Sequence, residues 1–162
     1  MNDTDRKHLE RCLELAEKAL DLGNSPFGSV LVDGSGNVLA EDHNREVMDG
    51  DDTLHPEFEL ARWAAHNMTR EERAKATVYT SGEHCPMCSA AHAWVGLGRI
   101  VYLYSATQYR ALSDAAGMPP SPVAPIPSNQ VATFVTVEGP EPALAGKIEA
   151  LHKRRFAEVK GQ

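Results

Sequence analysis

At 162 residues, 42% of them hydrophobic, the chain is long enough for one domain with a full core, which makes metal-dependent folding unnecessary. A net charge of -7 argues against tight binding to polyanions, because nucleic-acid affinity is built largely from Lys and Arg neutralising phosphates. Three cysteines, two of them in a C-x-x-C, argue against a disulfide scaffold. The polar stretch Met1–Arg11 has no apolar h-region, and no run approaches the roughly 18 apolar residues of a membrane span. A cytoplasmic protein with no membrane attachment and a small or neutral ligand is expected.

Asp3 or Thr4 can cap a first helix in which Leu9, Leu13, Ala16 and Leu20 recur at helical spacing until Gly23 ends it. Cys12 beside that face reads as a buried thiol. Phe27–Asp33 and Val38–Glu41 flank Asp33-Gly34-Ser35-Gly36-Asn37, strong turn chemistry that predicts a β-hairpin. Asp42–Leu54 reads as a polar loop holding Asn44 and the acids Asp49, Asp51 and Asp52. Pro56 suits the first position of a second helix, since its missing N–H costs nothing there, and His55 then sits at the helix start. Trp63 is expected in the core and His66 at the surface; Thr69-Arg70-Glu71-Glu72 is a capping box.

A third strand, Thr77–Thr80, leads through Ser81-Gly82-Glu83 to Cys85-Pro86-Met87-Cys88 and another helix, with Met87 and Trp94 expected on its buried side. Arg99–Tyr104 is a fourth strand and Tyr109–Ala116 a helix. Gly117–Pro127, with Pro119, Pro120, Pro122, Pro125 and Pro127, must be loop. Val131–Val137 predicts a fifth strand, and Ala143–Val159, with Leu144, Ile148 and Leu151 on one face, a last helix. The helix between strands four and five implies a parallel crossover. Nothing marks an internal repeat or a boundary, so residues 1–162 read as a single domain with 117–127 as a proline-rich loop.

His55, Cys85 and Cys88 are donors that zinc accepts readily, and three protein ligands with a fourth position for water distinguish a catalytic zinc site from a structural one. Both cysteines stand at a helix start, where the positive end of the helix lowers thiol pKa. Glu57, on the first turn after His55, can reach a metal-bound water and relay its proton to a leaving group. That division of labour describes hydrolytic deamination. Two other readings use the same residues. A strand, C-x-x-C and helix also make a thiol–disulfide oxidoreductase, which leaves His55-Pro56-Glu57 unexplained. A structural zinc domain would close a four-ligand site with His92 and either His55 or His84, and has no use for Glu57.

His55-Pro56-Glu57 and Cys85-Pro86-Met87-Cys88 resemble the zinc-dependent cytidine and deoxycytidylate deaminase superfamily, with its His-x-Glu and Pro-Cys-x-x-Cys signature. The resemblance extends over most of positions 5 to 118, and the helical crossover aligns the chain with the guanine, free-base and transfer-RNA adenosine branches. It implies a three-layer α/β/α domain around a mixed five-stranded sheet, one zinc ion per subunit with a bound water, and a homodimer. It further implies that Asn44 orients the base, that Phe27 lines its pocket with Gly28 letting backbone approach the ligand, and that Ser81 and Gly82 face the reacting part. His84 stands where the family usually has proline. Guanine-type members place an acid after the fourth strand; Gln108 aligns there, with Asp114 the nearest acid. The substrate implied is a nucleobase or nucleoside, guanine before cytosine or a modified base, with a transfer-RNA editor disfavoured by the acidic composition.

Overall fold

In the computed structural model, which describes residues 1–161, α1 (Asp3–Asp21) is capped by Asn2 in a reciprocal box with Asp5. The expected cap, Asp3 or Thr4, lies one or two residues further on; Asn2 wins because its side chain reaches the Asp5 amide while the Asp5 carboxylate answers the Asn2 amide. β1 (Gly28–Val32) and β2 (Val38–His43) pair antiparallel around the expected turn. Asp33 organises that turn by accepting from the Ser35 and Asn37 amides. β3 (Thr77–Gly82) lies antiparallel to β1 and parallel to β4 (Arg99–Tyr104), and β5 (Val137–Glu138) extends the sheet parallel to β4, giving the order β2-β1-β3-β4-β5. This is the mixed five-stranded sheet that the resemblance implied.

Two faces are covered, which is why β1 is buried along its whole length rather than alternating. Val30, Val32, Tyr79, Val101 and Leu103 pack with α1 and with α8 (Pro142–Lys160) through Leu9, Leu13, Leu144 and Ile148. On the other face Leu31 and Val78 meet Leu60, Ala61 and Ala64 of α3 (Pro56–Asn67), which the short α4 (Arg70–Lys75) follows, beside α5 (Pro86–Val95). The helices that open on His55 and on Cys85 therefore pack against each other over one end of the sheet.

Several expectations need correction. The 42–54 loop contains a short helix, α2 (Glu46–Asp49). The helix after β4, α6 (Ala106–Ala115), starts earlier than expected because Ser105 and Gln108 form a capping box. The fifth strand shrinks to two residues: 128–131 form α7 (Ser128–Val131), and Phe134, in the alternating stretch that suggested a strand, is fully exposed. Trp94 is 89% exposed on α5 rather than buried. Gly28 is required by helix packing: an added Cβ would stand 2.4 Å from Leu15 Cβ and 2.6 Å from Cys12 O.

Candidate metal centre and active site

Three features of local chemistry bring the donors together. His55 holds the N-cap position of α3 with Pro56 following it, and Cys85 holds the same position of α5 with Pro86 following. Cys85 Sγ accepts from the Cys88 amide at 3.5 Å, so the thiolate occupies the place of a capping oxygen. The His84 carbonyl that precedes it is held by the Ser89 and Ser128 hydroxyls at 3.3 and 3.2 Å.

His55 Nδ1 lies 3.6 Å from each sulfur, and the sulfurs are 3.5 Å apart. A tetrahedral zinc with bonds of about 2.3 Å to sulfur and about 2.0–2.1 Å to nitrogen requires edges of about 3.5–3.8 Å. The three edges fit that ion. Among the described residues the cluster has these three donors and no fourth, which is the count of a site that keeps one position for chemistry. Zinc is accordingly the cofactor, held by His55, Cys85 and Cys88.

The three donors sit close enough to perturb one another's protonation. The bond from Cys88 and the one from His55 bring Cys85 down to about 4, whereas that same neighbouring sulfur, together with burial, pushes Cys88 up. Burial opposes a charged His55, yet Cys85 and Glu46 together hold it up at about 10. Glu46 is the residue that sequence reasoning missed. Its carboxylate lies 2.7 Å from His55 Nε2, and its own amide donates to Asn44 Oδ1. No spacing rule marks it, because it belongs to the loop and not to the metal motif.

Glu57 is 5% exposed, and burial pushes its carboxyl up to about 7. It accepts from Thr80 Oγ1 at 3.0 Å, and Thr80 accepts in turn from Ser29 Oγ at 2.9 Å. Its other oxygen is 3.9 Å from Cys88 Sγ. It stands beside the ligand set without joining it.

The remaining candidates divide. Phe27 packs on Gly82, where an added Cβ would meet the ring at 2.7 Å. Ser81 Oγ accepts from the Gly28 amide. Asn44 is 1% exposed, but its Oδ1 accepts from the Glu46 amide, so it shapes the loop that carries Glu46. His84 is fully buried edge-on against His92, and among the described residues neither His84 ring nitrogen has a hydrogen-bond partner. His92 Nε2 meets Gly98 O at 3.2 Å, so neither histidine closes a four-ligand site. Gln108 Oε1 is spent on the Ser105 amide, and Asp114 pairs with Arg110 on the exposed side of α6. Glu83 instead spans two helix starts, accepting from the Ala106 amide with one oxygen and the Ser128 amide with the other.

The model of the cytidine and deoxycytidylate deaminase zinc-binding region matches residues 2–104. A probable cytosine deaminase of Schizosaccharomyces pombe is 34% identical over 117 residues, covering 72% of this chain and 70% of that protein. A tRNA-specific adenosine deaminase of Haemophilus influenzae is 35% identical over 101 residues, covering 62% of this chain and 58% of that protein. The X-ray structure of guanine deaminase from Bacillus subtilis superposes with a TM-score of 0.59 at 26% identity, over 83% of this chain and 92% of that one.

Proposed function

The chain belongs to the zinc-binding family of cytidine and deoxycytidylate deaminases, zinc-dependent hydrolases of cyclic amidines, and from that premise we propose that it deaminates a free, uncharged nucleobase, cytosine before guanine. The observation that carries the chemistry is the position of Glu57, a buried carboxylate touching Cys88 at the edge of a three-donor cluster.

Bound by His55, Cys85 and Cys88, zinc supplies the Lewis acidity that brings a water within reach of a base near neutral pH. Glu57 is the group placed to move the two protons of an attacking water, one to the ring nitrogen and one to the departing amine, so that ammonia leaves as the ring carbonyl forms. A carboxyl pushed up to about 7 both accepts and releases a proton at little cost. Thr80 holds its Oε1 and keeps Oε2 turned towards the cluster. Phe27, set on Gly82, is the apolar wall against which a flat ring stacks.

Two features favour a substrate without phosphates. The net charge is -7, and Asp49, Asp51 and Asp52 are exposed on the loop leading to His55, which disfavours phosphate-bearing substrates. Cytosine is placed first because Gln108 and Asp114 are both engaged elsewhere, so neither offers an acid to the exocyclic group of guanine. Guanine is the second reading, supported by the likeness to a guanine deaminase over most of both chains.

Ammonia release from zinc-loaded protein over cytosine, guanine, adenine, their nucleosides and a transfer-RNA anticodon stem, with Glu57→Ala beside it, tests the proposal. Release from cytosine that vanishes in the variant is expected. Turnover confined to nucleosides or to the anticodon stem overturns the free-base assignment.

A further inference from the structure

Glu46 takes no part in the proton transfers above, yet it touches the metal centre. His55 presents Nδ1 to the two sulfurs at 3.6 Å each and Nε2 to Glu46 Oε1 at 2.7 Å. A neutral imidazole carries one N–H and one lone pair, so the nitrogen that donates leaves the other as the only metal donor. An ionised carboxylate can only accept.

We propose that Glu46 is the positioning residue of the metal centre: by accepting from Nε2–H it fixes the His55 tautomer and ring angle that present the Nδ1 lone pair between Cys85 and Cys88. The proposal rests on His55, Cys85 and Cys88 being the zinc ligands. A carboxylate behind a ligating histidine also raises the basicity of the ring and so strengthens the donor.

The arrangement is built, not incidental. The Glu46 amide donates to Asn44 Oδ1 at 3.1 Å, and the next two amides, Val47 and Met48, donate to Asn24 Oδ1 at 3.0 and 2.9 Å. Asn24 is fully buried and Asn44 is 1% exposed. The Arg45 amide donates to Leu54 O at 3.2 Å, tying the start of this strap to the residue before the ligand. The nearest cation in sequence does not compete for the carboxylate, because Arg45 pairs with Asp42, Asp49 and Glu59. Glu46 is thus held over His55 by polar groups outside the metal ligand set.

The test measures zinc affinity by competition with a chromophoric chelator for the native protein, Glu46→Gln, Glu46→Ala, the loop control Asp49→Asn and the ligand control Cys88→Ser. It also records the His55 ring nitrogens by ¹⁵N NMR of the zinc-loaded protein. Glu46→Ala is expected to bind zinc about 10–100-fold more weakly, Glu46→Gln less weakly so, and Asp49→Asn like the native protein. The native spectrum should show a protonated Nε2 whose proton exchanges slowly, with faster exchange in both Glu46 variants. The Gln variant keeps the volume of the side chain, so its comparison stands even if the Ala variant folds poorly. Affinities within threefold of native in both Glu46 variants overturn the proposal, as does a native spectrum with the proton on Nδ1. Failure of the underlying zinc assignment has a different signature: Cys88→Ser would then bind zinc like the native protein.

Discussion

Thr80 Oγ1 donates to Glu57 Oε1 at 3.0 Å while accepting from Ser29 Oγ at 2.9 Å. The single hydroxyl proton of Thr80 is thereby committed to the carboxylate, and strand β3 sets the direction of the group proposed to move protons. Thr80→Val keeps the branched shape and removes the donor. It should lower kcat about tenfold, the equivalent of about 1.4 kcal/mol and within what one bond to a buried charged acceptor contributes. Zinc content should not change. Steady-state kinetics with metal analysis on the same sample check this, and an unchanged kcat would remove Thr80 from the mechanism.

Glu57→Gln is isosteric and leaves the three donors intact. Turnover should fall by at least about 10²–10⁴-fold, the contribution of a positioned general acid and base, with the zinc stoichiometry retained. A variant that loses metal as well as activity would make Glu57 part of the ligand set instead.

Gly82 has no room for a side chain, since a Cβ would stand 2.7 Å from Phe27 Cε1 and 2.9 Å from its Cδ1. Gly82→Ala must push the ring aside. We expect a raised KM for the base and a stability loss of about 1–3 kcal/mol, the usual cost of overpacking. Gly28→Ala meets the backbone of α1, which cannot rotate away, and should cost more stability. Urea unfolding of the two variants gives the order directly.

His152 is 1% exposed among Phe27, Tyr104, Tyr109 and Phe156, and among the described residues neither ring nitrogen has a partner. Burial pushes its pKa down to about 3. The unfolded chain takes up this proton near pH 6.5, about three units earlier. Stability from this group is therefore complete above about pH 6.5 and falls by about 1.4 kcal/mol for each unit below it, until the folded ring titrates. Urea unfolding at about pH 7 and about pH 5 should show the loss, and His152→Phe should reduce it. Equal slopes in the two proteins would mean that His152 is protonated in the fold.

Asp114 is exposed and bonded to Arg110, and Gln108 is a helix cap. Asp114→Asn should leave KM and substrate preference unchanged. Gln108→Ala should cost about 1 kcal/mol of stability, as loss of a cap does, without altering the choice of base. A change of preference in either variant would return the segment after β4 to the pocket.

The parts that were legible are those whose chemistry is local. His55 and Cys85 each precede a proline that opens a helix, so the sequence alone places three donors at two helix starts, and Glu57 two residues after the first of them, on its first turn. The alternation of apolar residues was misleading at the sheet edge: 131–137 has strand composition, but only Val137 and Glu138 pair with β4, and Phe134 points to solvent. Trp94 failed in the same way, because α5 leaves one side uncovered and a helical pattern does not say which face meets the sheet.

By itself the sequence determined the ligand types, the helix starts that hold them and the kind of reaction they support. Only the tertiary structure decided who stands behind them: Glu46 on His55, Thr80 on Glu57, Glu83 across two helix starts, and His152 in an aromatic shell. The physical reason is distance along the chain. Capping and turn chemistry act within a few residues and are written in short motifs, whereas a hydrogen bond between β3 and α3 exists only after the sheet has set the register that brings them together.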